Sequence, residues 1–385
     1  RYFSFWDCGE YISSAVKLEV THSPGAALFQ LMGAFFSIFS FENGKLFSLI
    51  INGMSGIFSA FTILFLFWTI TSLARNFLLN ESNNELSKAQ ETIVLGSGLV
   101  GALVFTFSDT FWFSAVEGEV YSMASLFTSI LVWLICKWEN RANEPYANKW
   151  LLLIAFVIGL SIGVHLMVIL ALPAVCFLYY AKKHEFTPKS FAIANGITLV
   201  ILIIVFKIIF PLVMTYFGKM EIFFVNEIGL PFNSGTSIAA IFLIALFYWA
   251  IDFTQKKGFG LLNTIVLSIT FMLIGFSCWL MIPIRANANP PMNLNDPDNA
   301  IGLLDYYNRE QYGDWPTIYG ANYTAYIDPN GIEGMINKGP VFEKDEEKGK
   351  YIVVSERMDY KFSPDHVGFF PRMFSPEPNN IKNYK

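Results

Sequence analysis

The chain has 385 residues, of which 54% are hydrophobic, 17% aromatic and only 15% charged. This composition excludes an ordinary soluble domain and indicates a polytopic membrane protein. The net charge of −5 is too small to indicate nucleic acid as a partner. The four cysteines provide neither a disulfide framework nor a zinc pattern, since three of them lie inside hydrophobic segments.

The chain begins at Arg1 directly on a polar motif, without a methionine or a signal peptide. We therefore expect a preceding piece that carries one more transmembrane helix. We expect residues 1–45 to form the first extracytoplasmic loop of a membrane domain that extends over residues 1–283.

Apolar segments of about 17–25 residues are the signature of membrane-spanning helices. Six segments without interior charge runs are predicted spans, some of them short: Leu46–Ala74, Thr92–Phe107, Thr110–Trp138, Ser190–Pro211, Ser237–Ile251 and Leu261–Pro283. Trp150–Ala181 is too long for one span and contains glycines and a proline, so it is predicted as two short spans that turn near His165.

Basic residues near the ends of spans are retained on the cytoplasmic side. Four loops carry them: Arg75–Glu91, Lys137–Lys149, Lys182–Lys189 and Asp252–Gly260. With these loops inside, the span that begins at Leu46 starts on the outer side. The N-terminal motif then also lies outside if Ala26–Phe41 does not cross the membrane, so this segment is predicted as an interfacial or re-entrant helix. In the alternative, Ala26–Phe41 spans the membrane and places Asp7 inside.

The outer face then collects Asp7, Glu10, His22, the region of Asp109 and of Glu117 and Glu119, His165, the loop Leu212–Ser234, and everything after Pro283. Residues 284–385 are rich in Asn, Pro, Gly and Tyr at their start, which predicts an extracytoplasmic tail with little regular structure there. Tyr351–Val354 is predicted as a short strand, and Lys344–Lys350 as a solvated charged turn.

Asp7 and Glu10 are three residues apart, so in a helix both carboxylates share one side, where each can shift the pKa of the other. One of them could then act as a base, although two solvated acids at a helix start fit the spacing equally. His22 precedes Ser23, Pro24 and Gly25 at the start of an apolar helix. It is either part of a cap, or a ligand for a lipid phosphate or a metal.

Ionisable groups at membrane depth are costly and usually face a cavity or the interior of the bundle. Glu117 and Glu119 are predicted to do so, unless the helix begins only at Val120 and they are loop acids. His165 has either a cavity role or a structural one. Arg285 and then Asn287 follow the last span at the outer interface. The Arg285 guanidinium either binds phosphate or only extends to the membrane surface as an ordinary snorkelling side chain. Arg309 and Gln311 belong to a possible lid in the tail.

Several motifs of the chain resemble the protein O-mannosyltransferases and their bacterial arabinosyl- and mannosyl-transferring relatives, the GT-C glycosyltransferases. Those enzymes carry an acid pair and a His-Pro-Pro motif in the first extracytoplasmic loop. The chain is more closely similar to a bacterial O-mannosyltransferase-like membrane family to which an animal endoplasmic-reticulum O-mannosyltransferase belongs. The motifs are Phe5–Tyr11, Lys17–Val20, His22–Gly25, Val116–Tyr121, Gly159–His165 and Asn308–Asp314.

The resemblance implies an all-α GT-C-like bundle and inverting transfer of a sugar, mannose in the first place, from polyprenyl or dolichyl phosphate to a protein Ser or Thr. It implies Asp7 as the base, with Glu10 to orient the acceptor or tune Asp7. His22, His165, Arg285 and Asn287 would bind the donor phosphate. The remaining site residues would contact sugar or acceptor: Glu117, Glu119, Tyr121, Arg309 and Gln311.

Two departures from the family pattern stand out, namely the Asp-x-x-Glu spacing of the acids and Gly25 in place of the second proline. The implied partners are the lipid-linked sugar, an acceptor protein and membrane lipid, with a divalent metal left open as a cofactor. The implied location is the bacterial inner membrane with a periplasmic site, or the endoplasmic reticulum with a lumenal one. The rival class is a transporter or flippase with Asp7, Glu119 and His165 as a proton relay.

Overall fold

The computed structural model of the chain describes residues 6–81, 85–313, 316, 318–371, 375 and 377–383. Phe5 and Asp314, which belong to two of the motifs above, lie outside the described residues. The helices are α1 (Cys8–Lys17), α2 (Ala27–Ser37), α3 (Gly44–Glu81), α4 (Lys88–Thr106), α5 (Asp109–Ala115), α6 (Val120–Arg141), α7 (Lys149–Ile162), α8 (Leu172–Lys183), α9 (Pro188–Ile203), α10 (Phe210–Ile222), α11 (Ser234–Lys256), α12 (Gly260–Phe276), α13 (Met281–Ala286), α14 (Ala300–Asn308) and α15 (Pro378–Asn383). The strands are β1 (Tyr319–Ala321), β2 (Ile332–Asp345), β3 (Lys350–Phe362) and β4 (Val367–Phe369).

Within the described residues, seven helical segments are long and apolar enough to cross a membrane. They are Gly44–Leu79, Lys88–Thr106, Val120–Arg141, Leu166–Lys183, Pro188–Glu227, Ser234–Lys256 and Gly260–Ala286. The predicted fold class, a helical polytopic membrane protein, is therefore confirmed.

The prediction that Trp150–Ala181 turns near His165 is confirmed. Helix α7 ends at Ile162, and a 3₁₀ segment, Leu166–Ala171, leads from the turn into α8. Helix α2 has 11 residues, which corresponds to about 16 Å and is too short to span a bilayer.

The predicted single span Thr110–Trp138 is wrong, because the chain breaks between α5 and α6. Glu119, the residue before α6, has extended backbone angles. Gly118 lies within the break, where a Cβ atom would approach Ile12 and Ile51 to 3.0 Å, so the break packs closely against α1 and α3. Glu117 and Glu119 thus precede α6 rather than lie within it.

The predicted outer loop Leu212–Ser234 is also wrong over most of its length. A π-helical segment, Ile204–Ile209, leads from α9 into α10, and another, Phe223–Glu227, extends α10. Pro211 lies in the first turn of α10, after the wider π turn, where its missing N–H is tolerated. The sequence therefore predicted a helix end at Pro211, whereas in the structure the helix continues through this proline.

The tail contains more strand than the sequence predicted. The predicted strand Tyr351–Val354 lies within β3, which pairs antiparallel with β2 to form a long hairpin. Asn226 exchanges two hydrogen bonds of 2.8 Å with the backbone of Tyr351. The Tyr351 hydroxyl donates to the fully buried carboxylate of Glu221 in α10 at 3.2 Å. The hairpin is thus anchored to the helical bundle. The strands on either side of it, β1 and β4, pair with each other in a second sheet.

The core depends on one very close helix crossing. A Cβ atom on Gly159 of α7 would lie 1.9 Å from the carbonyl oxygen of Met272 in α12, and one on Gly275 would lie 2.3 Å from that of Phe156. The two backbones are therefore in contact, as glycines allow in membrane helix pairs.

We expect Gly159→Ala to lower the free energy of unfolding by about 1–3 kcal/mol, because the added methyl group forces α7 and α12 apart. Thermal unfolding in detergent micelles would measure the change. The matched control is Gly196→Ala on α9, where nothing lies within 4 Å of the added atom. It should leave stability unchanged or slightly higher, since alanine favours a helix over glycine. An equal change in stability in the two variants would contradict the close contact between α7 and α12.

Candidate active site

The N-terminus of α1 carries the first two acids. Asp7 is the residue immediately before the helix, and Glu10 lies in its first turn. Their spacing places both carboxylates on one side of the helix, as predicted. Half of the Asp7 side chain is exposed, whereas Glu10 is largely covered.

The chain reverses after α1 and returns His22 to these two acids. Leu18 adopts left-handed backbone angles that end the helix. The backbone N–H of His22 donates to Glu10 Oε1 at 2.7 Å, and His22 Nδ1 lies 3.0 Å from Glu10 Oε2. The other ring nitrogen, Nε2, lies 3.7 Å from Asp7 Oδ2. His22 is therefore fixed by Glu10 and directed at Asp7.

The contact between His22 and Glu10 shifts both groups toward their charged forms. Burial alone would raise the pKa of Glu10, but the hydrogen bonds from the His22 ring and backbone outweigh it and lower the pKa. The hydrogen bond to Glu10 raises the pKa of His22 against the opposing effect of burial. Each group therefore stabilises the charged form of the other.

Tyr306 of α14 locks the turn that carries His22. Its buried hydroxyl donates to the carbonyl oxygens of Thr21 and His22. Gly25 has a φ of +81°, and a Cβ there would lie 2.4 Å from the Tyr306 hydroxyl oxygen. Sequence reasoning missed Tyr306. The available signal was Asn299, which caps α14 through its side chain and so marks a helix start in the tail.

Glu117 and Glu119 are buried next to the N-terminus of α1. Burial raises the pKa of Glu119 to about 7, and the negative charges of Asp7 and Glu117 add to the effect, while backbone N–H groups of Val120 and Asp7 oppose it. Because α6 begins only at Val120, both acids belong to the loop before it, as the alternative prediction had it, yet both side chains are buried.

Four more predicted residues belong to the same cluster as these acids and His22, namely His165, Tyr121, Arg309 and Gln311. The rings of Tyr121 and His165 lie 5.5 Å apart. His165 Nδ1 accepts a hydrogen bond from the backbone N–H of Met167 at 3.1 Å. Burial lowers the pKa of His165, and the positive charge of Arg309 lowers it further. The same guanidinium also acts on His22, and Gln311 donates to the Ser23 hydroxyl at 3.1 Å.

Two of the predicted site residues lie elsewhere. The Arg285 guanidinium donates to the backbone oxygens of Leu18 at 2.7 Å and Lys17 at 3.0 Å, at the far end of α1 from Asp7. Asn287 donates to the backbone oxygens of Pro283 and Asp298. The structure therefore groups all the predicted residues except these two.

The trio of Asp7, Glu10 and His22 also has the composition of a metal site. One ligand atom from each residue lies within 4.8 Å of the others. A divalent cation bound by Asp7 and His22 Nε2 would find Glu10 on the other ring nitrogen, an arrangement common around metal-bound histidines.

The N-terminal half of the chain matches the family described as the TMEM260 N-terminal domain of protein O-mannosyl-transferase, over residues 7–187. The predicted resemblance to an O-mannosyltransferase-like family is confirmed. The matched residues include Asp7, Glu10, His22, Glu119 and His165. Residues 313–385 match a family of unknown function, DUF8416.

Two curated relatives carry names from the O-mannosyltransferase-like family. "Protein O-mannosyl-transferase TMEM260" of Mus musculus is 30% identical over 156 residues, which is 40% of this chain and 19% of the relative. "Protein O-mannosyl-transferase tmem260" of Dictyostelium discoideum is 28% identical over 191 residues, 46% of this chain and 21% of the relative. The matched region thus spans about a fifth of each relative. No solved structure matches the chain.

The charged pair predicts how stability changes with pH. Because the pKa of His22 is raised, His22 contributes fully to the free energy of unfolding below its ordinary pKa of 6.5. This contribution is lost as the pH rises through the pKa of the folded state. Because the pKa of Glu10 is lowered, Glu10 contributes fully above its ordinary pKa of 4.5, and this contribution is lost at more acidic pH.

We therefore expect Glu10→Gln to lower the unfolding temperature clearly at pH 6 and less at pH 9. Thermal melts of both proteins at the two pH values measure this difference. Glu42→Gln, which changes an exposed acid just before α3, serves as the control. A loss that grows from pH 6 to pH 9 would contradict the assignment of the pair.

Proposed function

We propose that the chain is the membrane part of a glycosyltransferase that moves a mannosyl group from a polyprenyl or dolichyl phosphate to a Ser or Thr hydroxyl of a protein. The observation that carries the proposal is the convergence of Asp7, Glu119, two histidines and Arg309 at one end of a membrane bundle. The names of the relatives support the same chemistry.

Asp7 is the proposed base. Its carboxylate is half exposed, so an acceptor hydroxyl can reach it. Asp7 takes the proton of the hydroxyl, the hydroxyl oxygen attacks the anomeric carbon, and the bond from that carbon to the phosphate oxygen breaks. The lipid phosphate leaves with the electron pair, and the anomeric configuration is inverted. A positioned base contributes typically about 10²–10⁴-fold to such a rate.

The leaving phosphate requires positive charge. Arg309 is favoured over Arg285 for this role, because it acts electrostatically on both His22 and His165, whereas Arg285 is bonded to the end of α1. A guanidinium can bind two phosphate oxygens at once. Because Nδ1 of neutral His165 accepts a hydrogen bond, its Nε2 carries a proton and can donate. These groups supply charge that is in place before the reaction.

The sugar is proposed to lie between this cationic group and the acids. Glu119 is buried, and a pKa of about 7 lets it either accept or donate a hydrogen bond to sugar hydroxyls. Glu117 precedes it in the break between α5 and α6, and Tyr121 follows it in the first turn of α6.

The isoprenoid tail has a suitable place beside the site. A cavity of about 600 Å³ lies between α10, α11, α12 and α14 and is lined mainly by apolar side chains such as Leu243, Phe276 and Leu303. Its polar residues include Asn287 and Asp298. Leu303 and Tyr306 belong to the same short helix, so α14 separates the cavity from the turn that carries His22.

The basic loops support an extracytoplasmic position of the site. Asn140 bonds to Ser72 and Asn76, and Asn148 bonds to Thr264, so the helix ends that carry these loops gather opposite the candidate site. The positive-inside rule, which keeps basic loops on the cytoplasmic side, then favours the extracytoplasmic side for the site.

We expect Asp7→Asn to reduce transfer by about 10²-fold or more, because the amide cannot remove the hydroxyl proton. Radiolabelled mannosyl transfer from a defined lipid phosphate to a Ser- and Thr-containing peptide would measure it. Asp252→Asn, at the opposite end of the bundle, is the matched control and should retain activity. Full activity of Asp7→Asn would contradict its role as the base.

We expect Leu243→Trp to raise the KM for long-chain donors about tenfold while sparing short-chain ones. The indole would displace the tail, and each methylene removed from an apolar site costs about 0.8 kcal/mol. Ile241→Trp is the control, because this exposed residue of the same helix does not line the cavity. A KM that rises equally for both chain lengths would argue against a tail site.

A further inference from the structure

A second cavity lies at the end of the bundle opposite the candidate active site. It has a volume of about 530 Å³ and is formed by α3, α4 and α6. Both α4 and α6 pack against α3, and the cavity occupies the wedge between them. Each of the three helices is long and apolar enough to cross a membrane, so the cavity opens at a membrane edge.

The lining of this cavity changes from apolar to cationic along the helices. On α3 it runs from Trp68 to Arg75, and on α6 from Trp133 to Asn140, with Lys137 between. Seven residues of helix correspond to about 10 Å. The two tryptophans therefore form the inner wall, with ring centroids 5.7 Å apart, while Arg75 and Lys137 stand at the outer lip.

The two cations take part in no ion pair among the described residues. In the part of the chain that the structure describes, neither Arg75 nor Lys137 forms an ion pair with an acid, and Glu91 in the first turn of α4 pairs with neither. Lys137 Nζ lies 5.2 Å from the centre of the Trp133 ring. Asn140 of α6 donates to the Ser72 hydroxyl of α3 at 3.0 Å and so links two of the three helices beside the cationic lip.

We propose that this cavity binds the phosphate headgroup of an anionic phospholipid from the leaflet opposite the candidate active site. Arg75 and Lys137 provide two cations for the phosphate, and Arg75 can contact two of its oxygens. The tryptophan wall and Leu95 of α4 accommodate the start of the acyl chains. Tryptophans at the headgroup level and basic residues at a helix end are the usual partners of such lipids.

The amphipathic lining favours a lipid over a soluble anion. A free phosphate would use the cationic lip alone and leave the indole wall exposed to water. A phospholipid covers both parts at once. Its phosphate lies at the cationic lip while its acyl chains lie along the tryptophan wall.

The test uses the full chain in detergent micelles. Binding of dioctanoyl phosphatidylglycerol, dioctanoyl phosphatidylcholine, glycerol 3-phosphate and inorganic phosphate is measured by thermophoresis. We expect the anionic lipid to bind most tightly, and Arg75→Gln with Lys137→Gln to weaken it about tenfold or more. The matched control is Lys182→Gln with Lys189→Gln, which removes two charges from the same end of the bundle and should leave binding unchanged.

Two further variants separate binding from folding. Arg75→Lys with Lys137→Arg keeps both charges and should retain most of the affinity. Leu95→Trp fills the cavity from a largely exposed position without changing charge, and should abolish lipid binding while the unfolding temperature stays the same. Equal weakening by both charge-removing pairs would overturn the proposal. Inorganic phosphate binding as tightly as the anionic lipid would also overturn it.

Discussion

The structure of the candidate site depends on how residues 17–25 are held. This stretch leaves α1 and runs between the bundle and the tail, and it is bonded on both sides. Val20 exchanges backbone hydrogen bonds with Met292 and Leu294 at 3.0 and 3.1 Å. Arg285 binds the backbone before it, and Tyr306 binds the carbonyl groups of Thr21 and His22. Buried carbonyl groups require hydrogen-bond partners. Residues of the tail supply these partners here, so the position of His22 depends on the tail.

Groups of both charges act on this part of the site. Burial and the negative charges of Asp7 and Glu117 raise the pKa of Glu119 to about 7. Burial and the positive charge of Arg309 lower the pKa of His165, and the same positive charge acts on His22. Glu10 accepts hydrogen bonds from the backbone and the ring of His22. In the reaction that we propose, the anionic phosphate of the donor would lie at Arg309 and its neutral sugar at the acids.

The hairpin of the tail contacts α14 and the residues next to it. Arg357 of β3 forms an ion pair with Asp305 of α14 at 2.6 Å and lies 3.8 Å from Glu310. Arg309 lies between these two acids in the chain. Lys344 of β2 is paired with Asp298. Residues that match DUF8416 therefore contact the segment that carries Arg309, whereas Asp7, Glu10 and Glu119 belong to the region that matches the O-mannosyltransferase-like family.

The sequence by itself determined the membrane class and the turn near His165, and it singled out Asp7, Glu10 and His22. Apolar length and isolated ionisable residues are local properties, and these three residues belong to one short stretch. The sequence could not determine the break at Gly118, where the chain packs against Ile12 and Ile51, or the helix that continues past Pro211. Only the tertiary structure brought Tyr306 and Arg309 to His22 and turned Arg285 toward α1, because contacts between residues almost 300 positions apart leave no spacing pattern in the chain.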